Sequence, residues 1–158
     1  FRIYRDIRFS PNKLPYKNHF GAYICPNGGR KSPLSGYYLH LQPDGSFLSG
    51  GIYCPQPAAL KQLRESIELN YHELAAIANE KQFKKAFDGI VSPEVLKRVP
   101  TGFSPDSPAA EWLKYKHFIV EHPLTEAELV AADFREKALE VFRAMKPFND
   151  FCNESLER

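Results

Sequence analysis

The chain has 158 residues, a length that fits one domain of ordinary size and not two. Hydrophobic residues make up 43% and charged residues 25%, which excludes a disordered tail or a fibrous repeat, because there is enough apolar surface to form a core. The formal net charge of +2 hides an uneven distribution: residues 1–40 hold Arg2, Arg5, Arg8, Lys13, Lys17, Arg30 and Lys31 against Asp6 alone, a local charge of +6, whereas the remainder sums to −4. Such a field attracts phosphates, carboxylates or nucleic acid, unless acids from later elements neutralise it in three dimensions.

In chain order, Ile3 to Phe9 alternates apolar Ile3, Ile7 and Phe9 with Arg2, Asp6 and Arg8, the period of a strand. His19 to Cys25 reads as a second strand, stopped by Pro26-Asn27-Gly28-Gly29. Gly36 to Leu41 and Ser46 to Tyr53 form a hairpin around Pro43-Asp44-Gly45, where the glycine reaches positive φ without a Cβ clash. Past Pro57 the period changes to about 3.6: Leu60, Leu63, Ile67, Tyr71, Leu74 and Ala78 form the stripe of one long amphipathic helix. A shorter helix covers Phe83 to Phe87. Ser92-Pro93 and Ser107-Pro108 each have the residues of a helix start, the second preceding Ala109 to Lys116. His117 to Val120 is extended and ends before Pro123.

Thr125-Glu126-Ala127-Glu128 matches a capping box, so a helix begins there. Its buried side takes Leu129, Phe134, Ala138, Val141, Phe142 and Met145, with an interruption near Asp133. Pro147 is expected to end or bend it, and Phe148, Phe151 and Leu156 to form a final short helix. Strands early and helices late give an α+β class, a mainly antiparallel sheet packed by amphipathic helices in a single domain over residues 1–158.

Cys25, Cys54 and Cys152 are odd in number and contain no C-x-x-C, which argues against a disulfide framework or a cysteine zinc site. Reduced thiols, the absence of a run of about 18 apolar residues and the absence of a signal-peptide pattern lead to an expected cytoplasmic location, with no membrane partner. The first residue is Phe1 rather than Met, so a preceding segment is expected. No H-E-x-x-H, G-x-S-x-G or G-x-G-x-x-G occurs. Gly28-Gly29-Arg30-Lys31-Ser32 lacks the spacing of a phosphate loop and reads as a turn, and Gly50-Gly51 as a bulge or close backbone approach.

The histidines His19, His40, His72, His117 and His122 are too scattered for a metal motif. His72 lies beside the helical stripe as partly buried packing. His19 and His40 sit on strands near the basic third; if they converge, either is a proton carrier near neutral pH, and otherwise both are ordinary strand residues. The densest polar cluster runs from Arg5 to His19. Arg5 and Arg8 offer planar forks to an oxyanion, Lys13 and Lys17 add point charges, and Tyr16 and His19 orient it. Pairing of the arginines with Asp6 and with helix acids is the competing reading.

Six motifs carry a resemblance: Arg2-Ile3-Tyr4-Arg5-Asp6-Ile7-Arg8-Phe9-Ser10, Lys13-Leu14-Pro15-Tyr16-Lys17-Asn18-His19-Phe20, Gly36-Tyr37-Tyr38-Leu39-His40-Leu41, Gly50-Gly51-Ile52-Tyr53, Leu96-Lys97-Arg98-Val99-Pro100-Thr101-Gly102-Phe103 and Lys146-Pro147-Phe148-Asn149-Asp150-Phe151. Together they resemble a bacterial and fungal family of conserved hypothetical proteins, domain-of-unknown-function family 2461, over nearly the whole chain. The resemblance implies an N-terminal helical segment preceding the arginine-rich strand, and brings no reaction, substrate or cofactor. It does select Arg5, Arg8, Lys13, Tyr16, Lys17, His19 and Arg98 as ligand-binding candidates, and His19 and His40 as candidate proton carriers.

The leading expectation is a small anionic or nucleotide-like ligand held by the basic loop and strand face, with no cofactor implied. The alternatives are a nucleic-acid-associated module, in which Tyr37, Tyr38 or Phe47 stack bases, and a structural protein-interaction domain without catalysis. A pI near 8.4 and the absence of RNP, helix-turn-helix or zinc-finger signatures argue against nucleic acid. No nucleophile and base stand at a diagnostic spacing, so catalysis and oligomeric state are left open.

Overall fold

The alternation of the two aromatic runs is realised as a hairpin. In a computed structural model that describes residues 3–4, 8–9, 11, 15–26 and 32–157, β2 (Gly36–Leu41) and β3 (Ser46–Ile52) pair antiparallel with His40 opposite Phe47. The turn is closed by the Gly45 N–H donating to the Gln42 carbonyl, and the Ser46 hydroxyl also donates to that carbonyl. Asp44, rather than the expected Gly45, takes the positive φ of 56°. Proline in the second turn position with a left-handed third residue explains the shift, and aspartate is one of the few side chains that tolerate that conformation.

β1 (Phe20–Ile24) adds to β2, and β4 (Phe118–Leu124) adds to β3, giving a four-stranded antiparallel sheet in the order β1-β2-β3-β4. β4 runs through Pro123 rather than ending before it; proline is tolerated because β4 is an edge strand. Of the strand expected over Ile3 to Phe9, Tyr4 makes an isolated bridge to Tyr16 and Arg8 and Phe9 lie in a turn; residues 5–7 lie outside the described residues.

The helical stripe beyond Pro57 forms two helices, α1 (Pro57–Leu69) and α2 (Tyr71–Asn79), not one. Asn70 breaks it: its side-chain amide donates to the Ser66 carbonyl at 3.0 Å, while its own carbonyl accepts from Glu73 and Leu74 to start α2. His72 is exposed rather than partly buried. α3 (Lys81–Ala86) and the short α4 (Ala110–Leu113) follow. No helix starts at Ser92-Pro93. There the Ser92 hydroxyl accepts the backbone N–H groups of Lys116 and His117, which ties the segment to the approach to β4.

The capping box is present at α5 (Glu126–Leu129): Thr125 Oγ1 accepts from the Glu128 N–H, and the Glu128 carboxylate accepts from the Thr125 N–H at 2.8 Å. These bonds hold the Glu128 carboxyl below the usual carboxylate range. Thr125→Ala should cost about 0.5–2 kcal/mol in a chemical-denaturation curve, by orphaning backbone donors.

α6 (Phe134–Glu157) continues through Pro147 as one helix, where an end or bend and a separate final helix were expected. Ala144 and Met145 before the proline and Phe148, Phe151 and Cys152 after it are buried on one face, so packing holds both halves in register. That face meets Ile52, Phe118 and Val120 of the sheet, Leu63 and Ile67 of α1, Leu74 of α2 and Phe83 of α3 in one core. The start of β2 is pinned to α6 by polar bonds: Asn149 Nδ2 donates to the Gly36 carbonyl, Ser35 Oγ donates to the Asn149 carbonyl, and the Ser35 N–H donates to Asn153. The opposite face of the sheet carries the site.

Candidate functional site

Side chains alternate across a strand, so once Tyr37 packs on Phe142 of α6 and Leu48, on the same face by the register, is buried, Tyr38, His40, Phe47 and Ser49 must share the other face. That face borders a cleft of about 790 Å³, within the size range of small-molecule sites. Tyr23 of β1 and Glu121 of β4 also line it, and Tyr53 and Cys54 close the end beyond β3.

Three rings form a ladder across neighbouring strands. His19 stacks on His40 with centroids 5.0 Å apart and planes 18° apart, and His40 stacks on Phe47 at 4.7 Å and 14°. These spacings match the distance of about 4.8 Å between adjacent strands, so the stack runs across the sheet and the ring edges project from it. Aromatic edges carry the positive end of the ring quadrupole and face electron-rich groups favourably.

His40 is fixed at both nitrogens. Nδ1 lies 3.0 Å from the Tyr38 hydroxyl, and Nε2 lies 3.3 Å from the Gln42 amide oxygen. With that oxygen facing Nε2, the neutral ring carries its proton on Nε2 and accepts the Tyr38 hydroxyl at Nδ1. Tyr38 reaches this position by lying over Gly21 of β1, where any Cβ would stand 2.5 Å from its hydroxyl oxygen. Tyr23 donates to the Leu34 carbonyl at 3.0 Å, and burial, with Cys25 beside it, raises the Tyr23 phenol above its ordinary value.

The far end of the cleft is shaped by the buried His117, whose Nδ1 accepts the Cys54 N–H at 3.0 Å and whose ring packs against Tyr53. Cys54 has a φ of 51° and is exposed. Glu94 stands 3.8 Å from His117 Nε2, and its carboxyl is held low by the hydrogen bond from Lys116. His122 serves the other face, bonding the Ala86 carbonyl at 2.7 Å. Among the described residues, no group of three His, Cys, Asp or Glu side chains is arranged to hold a metal ion.

The sequence-derived candidates fall in several places. His19 and His40 are brought into contact. Tyr16 faces Tyr4 with ring centroids 5.7 Å apart, and the Lys17 N–H donates to the Ile3 carbonyl at 3.0 Å. The Arg8 guanidinium lies 5.8 Å from the Phe9 ring centre. Arg98 is exposed on the loop before α4. Arg5 and Lys13 lie outside the described residues. Of the aromatic residues considered for base stacking, Tyr38 and Phe47 are on the cleft face, whereas Tyr37 is on the α6 face.

The bond of the Tyr38 hydroxyl to His40, and the places of Ser49, Glu121 and Tyr23 at the cleft, escaped sequence reasoning. Strand alternation and the hairpin register were the available signal for the first two, because the turn at Pro43 to Gly45 sets His40 against Phe47. Nothing local marks Glu121, which arrives from β4 opposite Ser49.

A helix-backed antiparallel sheet whose open face bears a histidine-aromatic ladder beside a ligand-sized cleft defines an α+β domain with a candidate small-molecule site on that face. The family of conserved hypothetical proteins DUF2461 matches residues 1–151, and the chain belongs to that family. No curated protein and no solved structure matches the chain. Among the described residues, no helix is long and apolar enough to cross a membrane.

Proposed function

We propose that the sheet-face cleft binds a small anionic or nucleotide-like ligand, with its planar part against the aromatic residues and its anionic part at His40 and Tyr38. The observation that carries this reading is the His19–His40–Phe47 ladder beside the cleft, which combines ring edges, an ionisable imidazole and a hydroxyl at one place. Lys17 stands two residues before His19 in the chain, and a cation that close to the ladder would favour an anion.

A panel of inorganic phosphate, phenyl phosphate, AMP and uncharged adenosine tests the reading by thermal shift and by amide NMR. An anionic planar compound should raise the melting temperature, by the equivalent of about 2.7 kcal/mol at a concentration one hundred times its Kd. It should move the amide signals of Tyr38, Phe47 and Ser49. His40→Ala should weaken binding about tenfold, the worth of one charge-assisted hydrogen bond. A panel that moves no cleft signal, or that binds His40→Ala and Phe47→Ala as tightly as the parent, removes the reading.

A further inference from the structure

We propose that the cleft takes up a proton together with its anion: the ligand binds the form in which His40 is an imidazolium and the Tyr38 hydroxyl is turned outward. This rests on the reading of the cleft as the ligand site and assigns the source of its positive charge. In the neutral arrangement the Tyr38 proton is committed to His40 Nδ1, so the phenol turns oxygen lone pairs toward the cleft and repels an anion. Protonating Nδ1 reverses the bond. Nδ1–H then donates to the Tyr38 oxygen, which frees the phenol O–H to donate to a phosphate or carboxylate oxygen. Nε2–H stays on the Gln42 amide oxygen throughout, so the ring need not move. One proton passes from solvent to Nδ1, and no covalent bond of the ligand changes.

The surroundings suit the charged ring. His40 lies between the rings of His19 and Phe47, with centroids 5.0 and 4.7 Å away, and a cation over a ring face is favoured electrostatically. The adjacent ring of His19 lies 5.0 Å away, so a second positive charge there would repel the first. The Nδ1 of His19 is already engaged by Asn18 Oδ1 at 3.0 Å. Among the described residues, the other titratable groups lining the cleft are Tyr23 on β1, Tyr38 on the same strand, Glu121 on β4, and Tyr53 and Cys54 beyond β3; Phe47 and Ser49 on β3 are uncharged. Glu121 is opposite Ser49, which is opposite Tyr38, so it stands two strand spacings across and two residues along from His40, roughly 12 Å, where salt screens most of its influence.

Proton and anion then help each other bind, by the reciprocity of linked equilibria. Affinity is greatest at low pH and falls as pH rises, by up to about tenfold per pH unit for one linked proton. The test follows the His40 ring nitrogens by NMR at about pH 7.5, as AMP, or phenyl phosphate if it binds more tightly, is added to saturation. Reading the ring directly avoids confusion with titration of the phosphate itself. The expected result is that the Nδ1 signal moves from the unprotonated to the protonated position in the parent, and that Tyr38→Phe, which keeps the ring but lacks the hydroxyl relay, loses this change and binds at least tenfold more weakly. If the Phe47 and Ser49 amides report a bound ligand while His40 stays neutral, or if Tyr38→Phe shows the same protonation as the parent, this proposal falls and the ligand site stands. If no panel member moves any cleft signal, both fall.

Discussion

Gly51→Ala is expected to destabilise the protein by about 2–6 kcal/mol, from backbone strain and overpacking together. The melting temperature should drop by on the order of 10 °C, given a few degrees per kcal/mol for a chain of this size. Gly51 has a φ of 102°, which side-chain-bearing residues rarely adopt, and a Cβ there would collide with the Phe118 carbonyl oxygen and lie 2.9 Å from a Phe148 ring carbon. The collision is with the backbone of the paired strand, which cannot turn aside as a flexible side chain could. Gly102 supplies a matched control: its φ is 97°, yet nothing lies within 4 Å of where its Cβ would be. Gly102→Ala therefore suffers the conformational strain without the collision, and the difference between the two variants in a denaturant titration isolates the steric part. Equal losses at both sites would contradict the assigned close approach.

Gly51 and its neighbour Gly50 show what local sequence conveys. Gly50-Gly51 was readable as a bulge or a close approach, because a strand that forgoes two side chains has something near it. That the neighbours would be Met145 and Asn149 at Gly50, and Phe118 and Phe148 at Gly51, was not readable, since they come from about 70 to 100 residues later. At the hairpin alternation and the Thr125 capping box the signal was local and uncontested, and element and position agree with the structure, whereas the helix read over Ala109 to Lys116 is only Ala110–Leu113, with Ala109 rather than Ser107 at its N-cap. Ser92-Pro93 has the same helix-start residues as Ser107-Pro108, but distant N–H groups from Lys116 and His117 claim the Ser92 hydroxyl. Pro147 carries a helix-breaking signal that burial on both sides overrides.

The site divides in the same way. Charge counted along the chain found a basic segment, whereas a cleft gathers residues across strands, and Tyr23, Ser49 and Glu121 join it through sheet register alone. His19 and His40 were visible as strand histidines. Their stacking required β1 to pair with β2, which the separated runs of sequence do not specify.

Phe148→Ala is expected to cost about 3–5 kcal/mol, the range for removing a fully buried aromatic ring. Phe148 has no exposed surface and meets Phe83 of α3 edge to face at 6.4 Å, so the lost ring leaves a cavity where α6, α3 and β3 join. Total stabilities of about 5–15 kcal/mol make this a large fraction, and the variant should unfold at markedly lower denaturant while retaining its cooperative transition. Coupling to Gly51 gives the sharper outcome. Because the Phe148 ring is one of the groups that a Cβ at residue 51 would strike, deleting it removes part of that collision, while the contact with the Phe118 carbonyl remains. The double variant Gly51→Ala/Phe148→Ala should therefore lose less stability than the two single losses added together, with a coupling of about 0.5–3 kcal/mol. A double-mutant cycle in urea measures it, and strict additivity would show that α6 does not press on β3 at this point.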